Sequence, residues 1–110
     1  MEPMENKQTY DSSWVRSGKT DAPGIREQLR SVPEEPGCYL WKDRNGEILY
    51  VGKAIDLRAR MTQYVTGQDE REKIPLMMEQ VASFDYIVVE SEHEALVLER
   101  ELIAQHRPYF

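Results

Sequence analysis

Two tyrosines on what read as paired strands, two glycines beside them, a few basic residues and one misplaced carboxylate are the groups here that could do chemistry together. The tyrosines lie in Pro36-Gly37-Cys38-Tyr39-Leu40-Trp41-Lys42 and Glu47-Ile48-Leu49-Tyr50-Val51-Gly52-Lys53, separated by Asp43-Arg44-Asn45-Gly46. Apolar and aromatic runs around an Asn-Gly turn predict a β-hairpin. If the turn leaves Lys42 opposite Glu47, then Tyr39 falls opposite Tyr50 and Gly37 opposite Gly52, and opposed side chains share a face. A one-residue slip would break that pairing. By default such a pair is a packing contact. The glycines open a second reading, because glycine in a strand often marks a close approach of another backbone or a ligand.

A phenol near pKa 10 is a poor base at neutral pH unless nearby cations favour the phenolate. The following segment offers them. From Ala54 to Tyr64, the spacing of Leu57, Met61 and Tyr64 predicts a helix with one apolar face. Arg60 lies at the edge of that face, one turn before Tyr64, and Lys53 comes near the same edge if the helix starts early. Arg58 points elsewhere and reads as a solvated charge.

The carboxylate comes last. Ser91-Glu92-His93-Glu94 reads as a capping box that opens a helix running to His106, where Arg107-Pro108 ends it. Ala95, Leu96, Leu98, Leu102 and Ile103 define its buried face, and steps of about 100° put Glu99 near the centre of that face. Burying a lone carboxylate costs several kcal/mol unless something compensates it. Two readings stand. Either Glu99 pairs with an arginine such as Arg60 or sits at the core's rim, or it binds a hard divalent cation, Mg²⁺ or Mn²⁺.

The rest of the chain bounds these readings. At 110 residues it is one domain, and 40% hydrophobic with 31% charged residues is ordinary for a soluble globular protein. No apolar run suits a signal peptide or membrane span, and a single cysteine, Cys38, points to a reducing cytoplasm. Strand alternation turns Cys38 away from Tyr39, where a buried thiol is inert. The net charge of −6 argues at first against a nucleic-acid partner. Residues 1–68 carry ten basic and ten acidic groups, whereas residues 69–110 carry four against ten, so the whole excess lies in the second part. Lys53, Arg58 and Arg60, set against Asp56 alone, make a local positive stretch.

In chain order, residues 1–23 read as a flexible arm whose one apolar point is Trp14 with Val15. Gly24 to Ser31 reads as a short helix stopped by Pro33-Glu34-Glu35-Pro36. After the hairpin and its helix, Val65 to Arg71 is a polar loop. Glu72 to Val81 is a helix with core residues Ile74, Met77, Met78 and Val81, and Phe84 to Glu90 is a third strand. His93 and His106 have no partner at metal-ligand spacing and are placed on the surface.

Gly37-Cys38-Tyr39 and Tyr50-Val51-Gly52 resemble the two halves of the motif that names the GIY-YIG nucleases. A helix with arginine and a later helix with glutamate follow in that family's order. Within it, Glu34-Glu35-Pro36-Gly37, Leu49-Tyr50-Val51-Gly52-Lys53-Ala54, and Glu94-Ala95-Leu96-Val97-Leu98-Glu99 with Leu102-Ile103 and Arg107-Pro108 are similar to the N-terminal nuclease domains of the UvrC type. The likeness runs from about Ser31 to Phe110. It implies an α/β (α+β) fold at residues 24–110, with a central three-stranded antiparallel sheet flanked by helices. It implies metal-dependent hydrolysis of a DNA phosphodiester on the 3′ side of a lesion in nucleotide excision repair. Damaged double-stranded DNA would be the substrate, UvrB the partner through regions beyond this segment, and UvrA would act upstream.

By the same resemblance Tyr50 is the general base, Tyr39 positions water or phosphate, and Tyr64 is a further active-site tyrosine. Lys53 and Arg60 hold the scissile phosphate, with Arg58 alongside them on DNA, and Glu99 binds the metal as Mg²⁺ or Mn²⁺. Cys38 departs from the motif's isoleucine, and the asparagine the family carries shortly after Arg-Pro is not reached. The sequence therefore reads as a fragment of a longer chain. Two rivals remain: a non-catalytic DNA- or protein-docking module on the same fold, favoured by the negative charge, and another kind of GIY-YIG nuclease.

Overall fold

A computed structural model describes residues 12–19, 25–67 and 73–110. The elements are β1 (Arg16–Lys19), α1 (Ile25–Leu29), β2 (Gly37–Lys42), β3 (Ile48–Ala54), α2 (Leu57–Val65), α3 (Lys73–Gln80), β4 (Ser83–Val88) and α4 (Glu92–His106), with a 3₁₀ turn at Ser12–Trp14. The predicted arm is described only from residue 12 to 19, and the rest of it lies outside the described residues.

The hairpin forms where the sequence predicts it. Asp43 anchors its turn, accepting at Oδ1 from the Asn45 and Glu47 amides at 2.8 and 3.0 Å. Gly46 adopts φ +83°, a conformation that favours glycine. The register differs from the expectation: Tyr39 faces Gly52, Trp41 faces Tyr50, and Gly37 faces Ala54. The cause is an irregularity at Trp41/Lys42, where Lys42 pairs with Ile48 and Leu49 is left over as the extra residue of a bulge. The displacement from the expected pairing is two residues. Tyr39 and Tyr50 therefore keep a common face but become diagonal neighbours, with ring centroids 6.3 Å apart.

The sheet is antiparallel with strand order β1-β4-β2-β3, so the three predicted strands form its centre and one edge. A fourth strand, from the predicted arm, adds to β4 through Arg16↔Tyr86 and Lys19↔Ser83. Arg-Ser-Gly-Lys has no apolar alternation, so the strand depends on backbone pairing that no side-chain pattern reveals. Trp14 beside it is 53% exposed.

Two cores flank the sheet. On one side Tyr39, Trp41 and Phe84 pack with Leu29, Val32, Leu57, Met61, Tyr64, Ile74 and Met77 from α1, its following turn, α2 and α3. On the other, Cys38, Leu40, Val51 and Ile87 pack with Ala95, Leu98 and Leu102 of α4. Asp56 caps α2 by accepting from the Ala59 amide, and Ser91 caps α4 by accepting from the Glu94 amide. The Glu94 carboxylate reaches the Glu90 amide at 2.9 Å, one residue before the position a capping box uses. His93 is exposed as expected, but His106 is half-buried, and its Nε2 has no hydrogen-bond partner among the described residues. Burial holds the His106 pKa below its ordinary value, with Asp85 opposing the shift.

Candidate active site

The glycines explain why the hairpin carries the site. A Cβ at Gly52 would land on the Tyr39 hydroxyl and ring, so the phenol lies across the bare backbone of the neighbouring strand. A Cβ at Gly37 would strike the Ile87 carbonyl and the Leu57 side chain. One glycine makes room for an aromatic ring, the other for a neighbouring strand and helix.

Three phenols gather on the α2 side of the sheet. The Tyr39 and Tyr64 hydroxyls share a buried hydrogen bond of 2.8 Å, and their ring centroids are 5.4 Å apart. Tyr50 completes the triangle, 6.3 Å from Tyr39 and 6.2 Å from Tyr64. Burial, followed by the neighbouring Tyr64, raises the Tyr39 pKa well above the ordinary phenol value. Burial also raises Tyr64. Both keep their protons at any physiological pH. Tyr50 is only half-buried, and of the three it is the phenol with a face to solvent.

Cations stand over two of these rings. The Arg60 guanidinium lies 4.8 Å from the Tyr64 centroid and donates to the Gln63 side-chain Oε1 at 2.7 Å. The Lys73 ammonium lies 5.6 Å from the Tyr50 centroid. The sequence reading missed Gln63 and Lys73, because neither stands out until the fold brings it beside a tyrosine. Arg58 has a local employment: its Nε donates to the Val32 carbonyl at 2.8 Å, and Nη1 lies 3.5 Å from Glu34. It ties α2 to the turn after α1.

Lys53 and Glu99 belong to the other layer. Lys53 lies in β3, not at the start of α2, and pairs with Cys38, which packs against α4. The Cys38 thiol donates to the Ala95 carbonyl, and burial together with the nearby Glu99 charge pushes its pKa up to about 12, with Lys53 opposing. Glu99 and Lys53 thus flank the same buried thiol. Glu99 is less buried than its helical position suggests. Ala95, Leu98 and Leu102 form the covered stripe, while Leu96 and Glu99 are half-buried and Ile103 is 42% exposed. The sheet covers only that one stripe of α4.

No ion pair or hydrogen bond engages the Glu99 carboxylate among the described residues, so pairing with Arg60 does not account for it. A half-exposed, uncompensated carboxylate beside a lysine fits a hard divalent cation. Among the described residues no group of three or more metal-ligating side chains exists, so water and phosphate oxygens would complete the shell. The tyrosine cluster and the Glu99–Lys53 pair lie at the same end of the hairpin, on adjacent residue pairs Tyr39↔Gly52 and Cys38↔Lys53, but on opposite faces. β3 is an edge strand, so its outer side is open between the two faces.

The fold thus presents a tyrosine-bearing hairpin, a helix carrying arginine and a third tyrosine, and a last helix carrying a carboxylate, the groups expected of a metal-assisted nuclease domain. Solved structures agree on the fold. The N-terminal endonuclease domain of UvrC from Thermotoga maritima, bound to magnesium as its catalytic divalent cation, is 37% identical with a TM-score of 0.68, over 76% of this chain and 91% of that one. Cation-bound variants of that domain with single tyrosine-to-phenylalanine changes superpose equally well. The chain belongs to the family described as the UvrC-like GIY-YIG domain, whose model matches residues 35–110. UvrABC system protein C of Malacoplasma penetrans is 44% identical over 86 residues, 78% of this chain and 14% of that protein. Its counterpart in Anaeromyxobacter dehalogenans is 49% identical over 88 residues, 78% of this chain and 12% of that protein. The chain therefore spans about a seventh of these relatives. It is a UvrC-like GIY-YIG domain, and its solved neighbours are endonuclease domains bound to a catalytic divalent cation.

Proposed function

We propose that the domain cuts one DNA strand on the 3′ side of a lesion during excision repair, with Tyr50 as general base and Glu99 as the protein ligand of one Mg²⁺ or Mn²⁺. The observation that carries this reading is the inequality of the three phenols. Tyr39 and Tyr64 share a buried hydrogen bond and are held protonated, and Tyr50, hydrogen-bonded to Tyr64 but half-exposed, is the phenol that an attacking water can reach and lose its proton to. Lys53 and Arg60 hold the phosphate from the two sides of the hairpin edge and neutralise the charge that grows on it. Tyr39 positions the reacting groups through Tyr64. When bound, the cation supplies Lewis-acid charge at the phosphate oxygens. Arg58, held by Val32 and Glu34, braces α2 and contacts DNA only as a peripheral charge.

Kinship with the C subunits of UvrABC systems supports extending the reading to damaged duplex DNA as substrate, UvrB as partner with UvrA upstream, and a cytoplasmic setting. No helix among the described residues is long and apolar enough to cross a membrane. Residues 24–110 act as the nuclease unit and residues 1–23 as an arm, which among the described residues joins the sheet through β1 and packs Val15 against the α4-side core. The test is Mn²⁺ binding to the chain by isothermal titration, run beside nicking of damaged plasmid. The wild type should bind one ion and cut, and Glu99→Gln should do neither while keeping its circular dichroism spectrum. Equal binding by both proteins would remove Glu99 from the metal site.

A further inference from the structure

We propose that Lys73 is a positioning residue for Tyr50, holding the phenol at the mouth of the site from the α3 side. The proposal rests on the reading of Tyr50 as general base. Its first support is direct: the Lys73 ammonium lies over the Tyr50 ring, 5.6 Å from the centroid, within the range of a cation–π contact. Its second is that Lys73 occupies an unfavourable place for a cation. It is the first residue of α3, where the helix dipole favours negative charge, and the first turn of α3 contains no acidic residue. No carboxylate pairs with it among the described residues. A local rule broken without compensation among the described residues points to a task elsewhere.

Geometry says what the task is. Tyr50 meets Tyr39 and Tyr64 as ring neighbours at 6.3 and 6.2 Å, and Lys73 approaches its ring face. A cation over the ring fixes the phenol's orientation. The effect belongs in kcat rather than in DNA affinity. Arg60 over Tyr64 shows the same arrangement on the neighbouring ring.

The experiment compares Lys73→Met and Lys73→Arg with wild type in Mn²⁺-dependent plasmid nicking, and records the Tyr50 ring resonances without DNA. Lys73→Met should lower kcat about three- to tenfold with KM unchanged and should move the Tyr50 resonances. Lys73→Arg, which retains a cation for the ring, should restore most of the rate. A rise in KM with a shallower salt dependence and unchanged kcat would make Lys73 a phosphate contact and overturn the proposal. Unmoved Tyr50 resonances in Lys73→Met would overturn it as well. Tyr50→Phe separates the two readings: wild-type cutting by that variant would defeat the general-base assignment by itself, whatever Lys73→Met does.

Discussion

At the scale of single residues, the site divides its phenols by environment rather than by type. Tyr39 spends its hydroxyl on Tyr64, and both are held protonated by burial. Tyr50→Phe should therefore lower the rate of cutting by about 10²–10⁴-fold, the usual share of a positioned base. Tyr39→Phe keeps the ring over Gly52 but loses the hydrogen bond, which should cost about 1 kcal/mol of stability and less of the rate. If Tyr39→Phe alone abolishes cutting, the two roles are reversed. Glu99 was legible from helical spacing as a carboxylate out of place. Its half-exposure was not, because the width of α4 that a sheet covers depends on the sheet.

At the scale of elements, the hairpin and its glycines set the geometry. Gly52→Ala puts a methyl where the Tyr39 phenol lies, which should destabilise the domain by about 1–3 kcal/mol and move the ring. Chemical denaturation and cutting assays on that variant should fall together; unchanged stability and activity would mean the ring has other room. The hairpin, α2, α3, β4 and α4 were legible because their apolar periods of 2 and 3.6 are strong. The strand register was not. It turns on the bulge at Leu49, and turn residues alone do not say which strand carries an extra residue. β1 was invisible for a related reason, since an edge strand of Arg-Ser-Gly-Lys shows itself only through backbone pairing. Lys53 was expected near a helix and lies in a strand, which moves it to the layer of Glu99.

At the scale of the whole molecule, charge and proton balance set the conditions for activity. With a net charge of −6, the domain can offer DNA only local cations. If Lys53 and Arg60 are those cations, the slope of log affinity against log salt should be about −2, measured by fluorescence anisotropy. A slope near zero would argue for the protein-docking form of the docking-module reading. Cys38, Tyr39 and Tyr64 all have raised pKa values, so folding favours their protonated forms. Their contribution to stability is complete below the ordinary pKa values of these groups and declines as pH rises above them. Followed at 295 nm, two of the six tyrosines should ionise only as the domain unfolds in alkali.

The central claim is that two layers of the fold, the phenols under α2 and the Glu99–Lys53 pair under α4, act on one phosphate around the edge of β3. A crystal soaked in Mn²⁺ and measured for anomalous scattering tests it most directly. One cation should sit on the Glu99 carboxylate, close enough to the Tyr50 hydroxyl for a single water to bridge them. A cation bound elsewhere, or one at Glu99 with Tyr50 turned away from it, would contradict the account.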